Sequence, residues 1–91
     1  MKCTVTKKIR TLKGGWKVAD SEDEAKYPQY VSERTIVLAI EGNPKNGYHL
    51  IMHPEGCFTA DTYSRTIEDA MTDALEVFGV SEEDWEEIGT I

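Results

Sequence analysis

The sequence has no long apolar run, few cysteines and little positive charge for its size. No apolar run approaches the roughly 20 residues that a membrane helix needs, so we expect no membrane-spanning segment. Two cysteines, Cys3 and Cys57, are too few for a disulfide scaffold, and no apolar signal-peptide core follows Met1. Both observations predict reduced thiols in a cytoplasm. Ten Lys and Arg against 17 Asp and Glu give a net charge of −7, which excludes broad binding to nucleic-acid backbones.

The length of the chain limits how it can be organised. Its 91 residues, 40% hydrophobic and 30% charged, have the composition of a globular protein, and we predict a single domain over residues 1–91. A chain of this size has no room for a second catalytic domain or for a fold that encloses a cofactor. We therefore expect no cofactor.

The two signs of charge are segregated along the chain. Residues 1–17 contain six bases and no acid: Lys2, Lys7, Lys8, Arg10, Lys13 and Lys17. Residues 66–91 contain nine acids and no base: Glu68, Asp69, Asp73, Glu76, Glu82, Glu83, Asp84, Glu86 and Glu87. Two interpretations are open. Either the two blocks neutralise each other within one molecule, or one block faces a partner of opposite charge.

Alternating apolar residues and turn signals predict an N-terminal hairpin followed by three strands. The predicted regions are the hairpin 4–19 and the strands 34–41, 48–53 and 57–62. We expect Phe58 and Ala60 of the last strand to point into the core. The acidic stretch 20–28 is predicted to lack regular structure. Because the connections between the three strands are short, they predict an antiparallel meander that the hairpin extends.

The apolar pattern after residue 66 predicts the main helix. Thr66 is its expected N-cap and Gly79 its expected terminating residue. The helix presents one apolar stripe to the sheet: Ile67, Ala70, Met71, Ala74, Leu75 and Phe78. A second, short helix is predicted to begin at Ser81, with Trp85 and Ile88 on one face. These elements predict an α+β fold, an antiparallel β-meander packed against one main helix with a short C-terminal helix.

A catalytic or metal site would have to be assembled from His49, His53, Cys57 and Asp61. His49 and His53 share a strand face about 13 Å apart, too far to bind one metal whose ligand atoms lie about 2 Å away. The paired Cys/His spacing of a zinc site is missing, and no nucleophile motif surrounds Cys57. We expect no metal site and no catalytic residue. The alternative is a small hydrolase or metal-dependent enzyme that uses His53, Cys57 and Asp61.

Ser64, Arg65 and Thr66 form a candidate anion-binding site. They precede the main helix, whose positive N-terminal end favours negative charge. Capping accounts for Thr66 without any ligand. Both interpretations are kept for these three residues.

Residues 56–79 carry two resemblances. Gly56-Cys57-Phe58-Thr59, Asp61-Thr62 and Thr66-Ile67-Glu68-Asp69-Ala70 are similar to a pattern of small bacterial proteins that reads roughly G-D-T-W-H-x-T-L-E-D-A, with Tyr63-Ser64-Arg65 in place of its tryptophan-histidine pair. The same segments resemble the HicB-type antitoxin domain, which reads P-G-C-F-T-x-G-D-T before a helix that opens with L-E-E-A. The second resemblance implies a sheet-and-helix module that occludes a partner toxin and dimerises.

Charge and resemblance together predict a function in protein binding. We expect a non-catalytic module of a bacterial cytoplasm, similar to an antitoxin, an immunity protein or an inhibitor. Its acidic helical end would occlude a basic protein partner. The expected partner-binding residues are Glu82, Glu83, Trp85, Glu86 and Glu87. A further alternative is a structural subunit that forms a homo-oligomer such as a homodimer.

Overall fold

The fold is α+β, as predicted, with one five-stranded antiparallel sheet and one main helix. The computed structural model describes residues 1–86. The strands are β1 (Lys2–Leu12), β2 (Gly15–Val18), β3 (Val31–Asn43), β4 (Gly47–Pro54) and β5 (Ala60–Ser64), and the helices are α1 (Ser21–Lys26) and α2 (Ile67–Phe78). Single 3-10 turns span Pro28–Tyr30 and Glu82–Asp84. The strand order is β2-β1-β3-β4-β5. Within residues 1–86, no helix has the length and apolar character required to cross a membrane.

The strand register separates the sheet into two faces. Cys3 lies opposite Leu38, and Leu38 lies opposite Met52, so these three side chains share the face that packs on α2, here called the covered face. Thr4 and Val37 are paired one residue along and point to the other side, here called the open face. The core lies between the covered face and α2: Cys3, Ile9, Ile36, Leu38, Ile40, Leu50, Met52, Ala70, Ala74, Phe78 and Val80.

Helix α2 has the predicted caps but a narrower buried stripe than predicted. The Thr66 hydroxyl accepts a hydrogen bond from the Asp69 N–H at 3.1 Å, and Gly79 ends the helix with φ 71°. Ala70, Ala74 and Phe78 are buried, whereas Leu75 is 52% exposed. The prediction that Leu75 packs against the sheet with the rest of the apolar stripe was therefore wrong. At 100° per residue it lies about 100° from the centre of the buried face.

The stretch 20–28 contains a helix, contrary to the prediction that it lacks regular structure. The Asp20 side chain accepts from the Asp23 N–H at 2.8 Å, and the Asp23 side chain accepts from the Asp20 N–H at 3.1 Å. This reciprocal capping box satisfies N–H groups at the start of α1. Because α1 has only six residues, its stability also depends on ion pairs to the β1–β2 hairpin.

The last strand begins later than predicted. Pro54 and Gly56 turn the chain, with Gly56 at φ 76°, and β5 starts at Ala60 rather than Cys57. Phe58 is 76% exposed, so its expected inward position was wrong. Its carbonyl accepts a hydrogen bond from Trp16 Nε1 at 2.8 Å, which fixes the loop from outside the sheet ladder. The helix predicted from Ser81 is a single 3-10 turn, and Ile88 lies outside the described residues.

Candidate protein-binding surface

The acidic segment after α2 is fixed to the fold at three points. Val80 is buried with 2% exposure. The Ser81 N–H and hydroxyl both donate to Asp84 Oδ2, at 2.9 and 3.0 Å, and close the 3-10 turn. The Lys2 and Glu86 backbones exchange two hydrogen bonds of 2.8 Å, which add Glu86 to the free edge of β1. The acids of this segment are therefore held in place by backbone and capping contacts rather than by their own charges.

The expected partner-binding residues divide into exposed acids and a packed aromatic. Glu82, Glu83 and Glu86 are exposed, and no base of residues 1–86 lies within 4.0 Å of their carboxylates. Trp85 is half-buried and packs against the core cluster, so it supports the segment more than it presents a free aromatic surface. Glu87 lies outside the described residues.

Three members of the basic block pair with acids of α1, and within residues 1–86 none of the block forms an ion pair with a C-terminal acid. Asp23, whose side chain is 5% exposed, binds Arg10 Nη1 and Lys17 Nζ, each at 2.9 Å. Lys8 Nζ binds Glu24 Oε1 at 2.6 Å. Hydrogen bonds to Asp23 from Lys17, the Asp20 backbone and Arg10 hold the pKa of its carboxyl well below the ordinary range. Among the described residues, the neutralisation of one charge block by the other therefore does not occur through ion pairs.

One member of the basic block does approach α2, at its C-terminal end. Lys7 Nζ lies 3.8 Å from the place that a β-carbon on Gly79 would occupy. A cation at that end of a helix interacts favourably with the last carbonyl groups and with the helix dipole. Lys7 is therefore placed to stabilise the end of the helix, and within residues 1–86 it forms no ion pair with the acidic side chains beyond it.

A groove runs along the outer side of α2 beside the acidic segment. It has a volume of about 260 Å³ and is lined by Glu68, Met71, Thr72, Leu75, Val80 and Glu82. Its lining combines three apolar side chains, Met71, Leu75 and Val80, with the two acidic residues Glu68 and Glu82. This arrangement suits a partner segment with an apolar side chain between basic ones.

Two of the three residues proposed for an anion make hydrogen bonds within the chain. Ser64 is buried, and its hydroxyl donates to Asp73 Oδ2 at 3.4 Å. The Thr66 hydroxyl is used by the Asp69 N–H. Arg65 is exposed, and within the described residues it makes no ion pair. The contacts of Ser64 and Thr66 are those of a helix N-terminus and its neighbouring strand.

The three residues of the enzyme alternative, His53, Cys57 and Asp61, each contact different partners. His53 Nδ1 is 2.7 Å from the Thr59 hydroxyl, whereas Asp61 Oδ2 is 3.3 Å from Nδ1 of His49. Cys57 packs against the core on the covered side. His53 and Asp61 lie on the open face, because His53 is opposite Val37 and Asp61 is opposite Ile51. Across residues 1–86, no three His, Cys, Asp or Glu side chains are grouped closely enough to hold a metal ion.

Reasoning from the sequence missed two features of this surface. The first is α1, whose signal was present, because Asp20 and Asp23 have the spacing of a capping box. The second is the groove, which brings Met71 and Leu75 of the helix against Val80. Only the path of the chain after Gly79 creates that contact, and no local pattern encodes it.

No protein-family model matches this chain, and no curated protein or solved structure does either. The two resemblances of residues 56–79 stay predictions. The functional proposal therefore depends on charge, exposure and contacts within the described residues.

Proposed function

We propose that the protein is a non-catalytic protein-binding module that occludes a basic partner protein. The binding site is the acidic surface, defined as the α2 groove together with Glu82, Glu83 and Glu86. The proposed type of action is that of an antitoxin, an immunity protein or an inhibitor of a bacterial cytoplasm. It needs no chemistry from the module itself, because covering a functional surface of the partner is sufficient.

The observation that carries this proposal is that, within residues 1–86, the carboxylates of Glu82, Glu83 and Glu86 have no basic partner, while three bases of the N-terminal block pair with α1. Arg10, Lys8 and Lys17 are occupied by α1 acids, so these bases of the N-terminal block are not free to cover the C-terminal acids. Exposed charges of one sign accelerate association with a partner of opposite sign and disfavour other partners.

The groove supplies the apolar part of the same interface. Interfaces derive most of their affinity from a few desolvated apolar anchors, with charged groups at the rim. Leu75 and Met71 provide apolar side chains of its lining, and Glu68 and Glu82 provide the acidic ones. The expected partner segment therefore places one apolar side chain in the groove and Lys or Arg on either side of it.

The test is affinity capture from a lysate of the native host with three immobilised baits. The first is the wild type, and the second carries Glu82→Lys, Glu83→Lys and Glu86→Lys. The third, a matched control, carries Glu22→Lys, Glu33→Lys and Glu55→Lys, which make the same change in net charge at exposed positions away from α2. The expected result is a basic protein that is retained by the wild type and the control and lost on the second bait.

The captured protein is then purified and its association rate is measured as a function of salt. We expect the rate to decrease steeply as ionic strength rises and the Debye length shrinks from about 10 to 3 Å. The reversal should slow association by about tenfold or more. Equal capture on all three baits, or no basic protein on the wild-type bait, overturns the proposal.

A further inference from the structure

The open face of the sheet has an apolar centre that the core does not use. Val37, Ala39 and Ile51 are neighbours on this face and are half-buried, yet they lie outside the core cluster formed with α2. Helix α1 reaches the open face only at the hairpin end, where it pairs with Lys8, Arg10 and Lys17. The apolar centre is therefore continuous across the two middle strands.

The register arranges the open face in rows that cross the strands. One row reads Lys2, Ala39, Ile51, Asp61 from β1 to β5, because each residue is the direct partner of the next. Neighbouring rows contain Val37 beside His53, and Glu41 beside His49. The first row thus has a cation at one end, an anion at the other, and a small and a large apolar residue between them.

We propose that the open face binds the open face of a second copy of this chain. The two-fold axis lies between the sheets, parallel to the strands, and passes between β3 and β4. This operation reverses each row, so Lys2 faces Asp61 of the second copy and Ala39 faces Ile51 of the second copy. In the neighbouring rows, Val37 faces the second copy's His53, and Glu41 faces the second copy's His49.

The row itself identifies the second copy as the occupant. A row whose two ends carry opposite charges is complementary to its own reversed copy, which is the requirement of an isologous two-fold interface. The apolar positions obey the same rule, since small Ala39 meets large Ile51 and the two layers interdigitate. Two sheets that pack in this way lie about 10 Å apart with their strands nearly aligned.

The two charged ends of the row do not satisfy each other within one chain. Lys2 and Asp61 are separated by three strand spacings, which amounts to about 14 Å at about 4.8 Å each. Asp61 lies 3.3 Å from His49 on its own chain. Glu86 extends the row by one position beyond β1 as the backbone partner of Lys2, and within residues 1–86 no ion pair joins their side chains. A direct contact between Lys2 and Asp61 therefore requires two molecules.

This interface is independent of the proposed partner-binding function. The α2 groove, with Glu68 and Glu82, lies on the opposite side of the sheet from the open face, whereas Glu86 is the direct backbone partner of Lys2 at the edge of β1. A dimer through the open faces leaves both α2 grooves accessible, one on each outer side. The two proposals can therefore fail separately.

The test measures the mass of the wild type and of charge variants by sedimentation equilibrium over a range of concentrations. The wild type should shift from one chain of 10.3 kDa to two as its concentration rises. Lys2→Glu and Asp61→Lys should each weaken the dimer by about tenfold or more, because each places like charges face to face. The double variant Lys2→Glu with Asp61→Lys should restore the dissociation constant to within about threefold, since the pair is re-formed with its signs exchanged.

Two further variants make the result decisive. Lys13→Glu, a reversal in the exposed turn between β1 and β2, away from the two-fold axis, should leave the dimer unchanged. Ile51→Lys should abolish it while circular dichroism shows an intact fold. A wild type that remains a monomer at the highest concentration, or a dimer that the double variant does not restore, overturns the proposal. The acidic variant Glu82→Lys, Glu83→Lys, which leaves the backbone partner of Lys2 unchanged, should still dimerise, and this separates the test from that of the partner.

Discussion

Arg10 and Asp23 form an ion pair of 2.9 Å that connects the basic hairpin to the acidic helix beside it. The guanidinium of Arg10 also lies 3.8 Å from the centre of the Tyr27 ring. Arg10 therefore contacts α1 both in its first turn, at Asp23, and at its C-cap, Tyr27. Lys17 completes the site from β2, which makes Asp23 the common acceptor of two strands. The nearly buried Asp23 carboxylate thus joins α1 to both strands of the hairpin, and the Lys8–Glu24 ion pair adds a contact at the surface.

The first prediction concerns acid stability. The pKa of Asp23 is lowered in the folded chain by its hydrogen bonds to Lys17, the Asp20 N–H and Arg10, whereas in the unfolded chain it is about 3.9. Between those two values the unfolded chain binds more protons, so acidification favours unfolding. The stability that Asp23 contributes is fully present above the unfolded value and is lost as the pH decreases through the folded one.

The measurement compares wild type and Asp23→Asn by urea unfolding from pH 7 to pH 2. The variant should be less stable at pH 7, and the difference between the two proteins should narrow below about pH 4. Other carboxylates titrate in both proteins and cancel from the difference. A difference that stays constant down to pH 2 would contradict the role assigned to Asp23.

The second prediction separates two apolar residues of α2. Phe78 is 2% exposed and contacts Trp16 with ring centres 6.5 Å apart, so Phe78→Ala should cost about 3–5 kcal/mol of unfolding free energy. Leu75 is half-exposed, and Leu75→Ala should cost about 1 kcal/mol. Denaturant unfolding of both variants provides the comparison, and equal losses would contradict the orientation of the helix.

The difference between Phe78 and Leu75 also shows what the sequence encodes. The period of apolar residues located α2 and its caps, because a helix repeats every 3.6 residues wherever it lies. It did not define the edge of the buried face, since Leu75 stands at the margin of the stripe and its exposure depends on what lies beside the helix. The β1–β2 hairpin and the order β3-β4-β5 followed from short turns at Gly14, Asn43 and Gly56, whereas the pairing of β3 with β1 instead of β2 depends on the longer connection that contains α1.

The contacts between distant segments were the part that local patterns could not provide. The basic block was recognised, but its pairing with Asp23 and Glu24 depends on where the hairpin places α1. The row from Lys2 to Asp61 depends on the register of three strand pairs, and a shift of one residue would move these side chains to different faces.

The third prediction uses Gly47, whose φ is +87° and whose missing β-carbon leaves space for the Tyr63 ring. A β-carbon there would overlap the ring, so Gly47→Ala should cost more than about 1–2 kcal/mol, the value expected from the backbone alone. In a Tyr63→Ala background the same change should cost less, because only the backbone part remains. Gly15, which has open space and no positive φ, is the control, and Gly15→Ala should be nearly neutral. Identical effects in both backgrounds would exclude the packing of Tyr63 on Gly47.

The fourth prediction concerns the two thiols, which are both free as expected. Burial, with a smaller effect of the Asp84 charge, raises the pKa of Cys3, so its reactive thiolate is scarcer. Cys3 should therefore react with an aromatic disulfide reagent at pH 8 more slowly than the half-buried Cys57. The rates are assigned with Cys3→Ser and Cys57→Ser, and a Cys3 that reacts as fast as Cys57 would contradict its burial.

The last prediction compares the C-terminal acids Glu82, Glu83 and Glu86 with Asp23 of α1 by the effect of charge reversal on stability. Replacing Glu82, Glu83 and Glu86 with lysine adds six charges to the net charge of −7 and brings it to −1. Because these carboxylates have no basic partner among the described residues, the variant should melt at the wild-type temperature or slightly above it, as self-repulsion decreases.

The matched reversal is Asp23→Lys, which places a third cation against Arg10 and Lys17. We expect it to lower the melting temperature although it changes the net charge less, because the charges it brings together are close and poorly solvated. Thermal melts at low and high salt measure both variants under the same conditions. If the three C-terminal reversals destabilised the fold as much as Asp23→Lys does, the C-terminal acids would be bound within the chain, and the acidic surface would not be free to receive a partner.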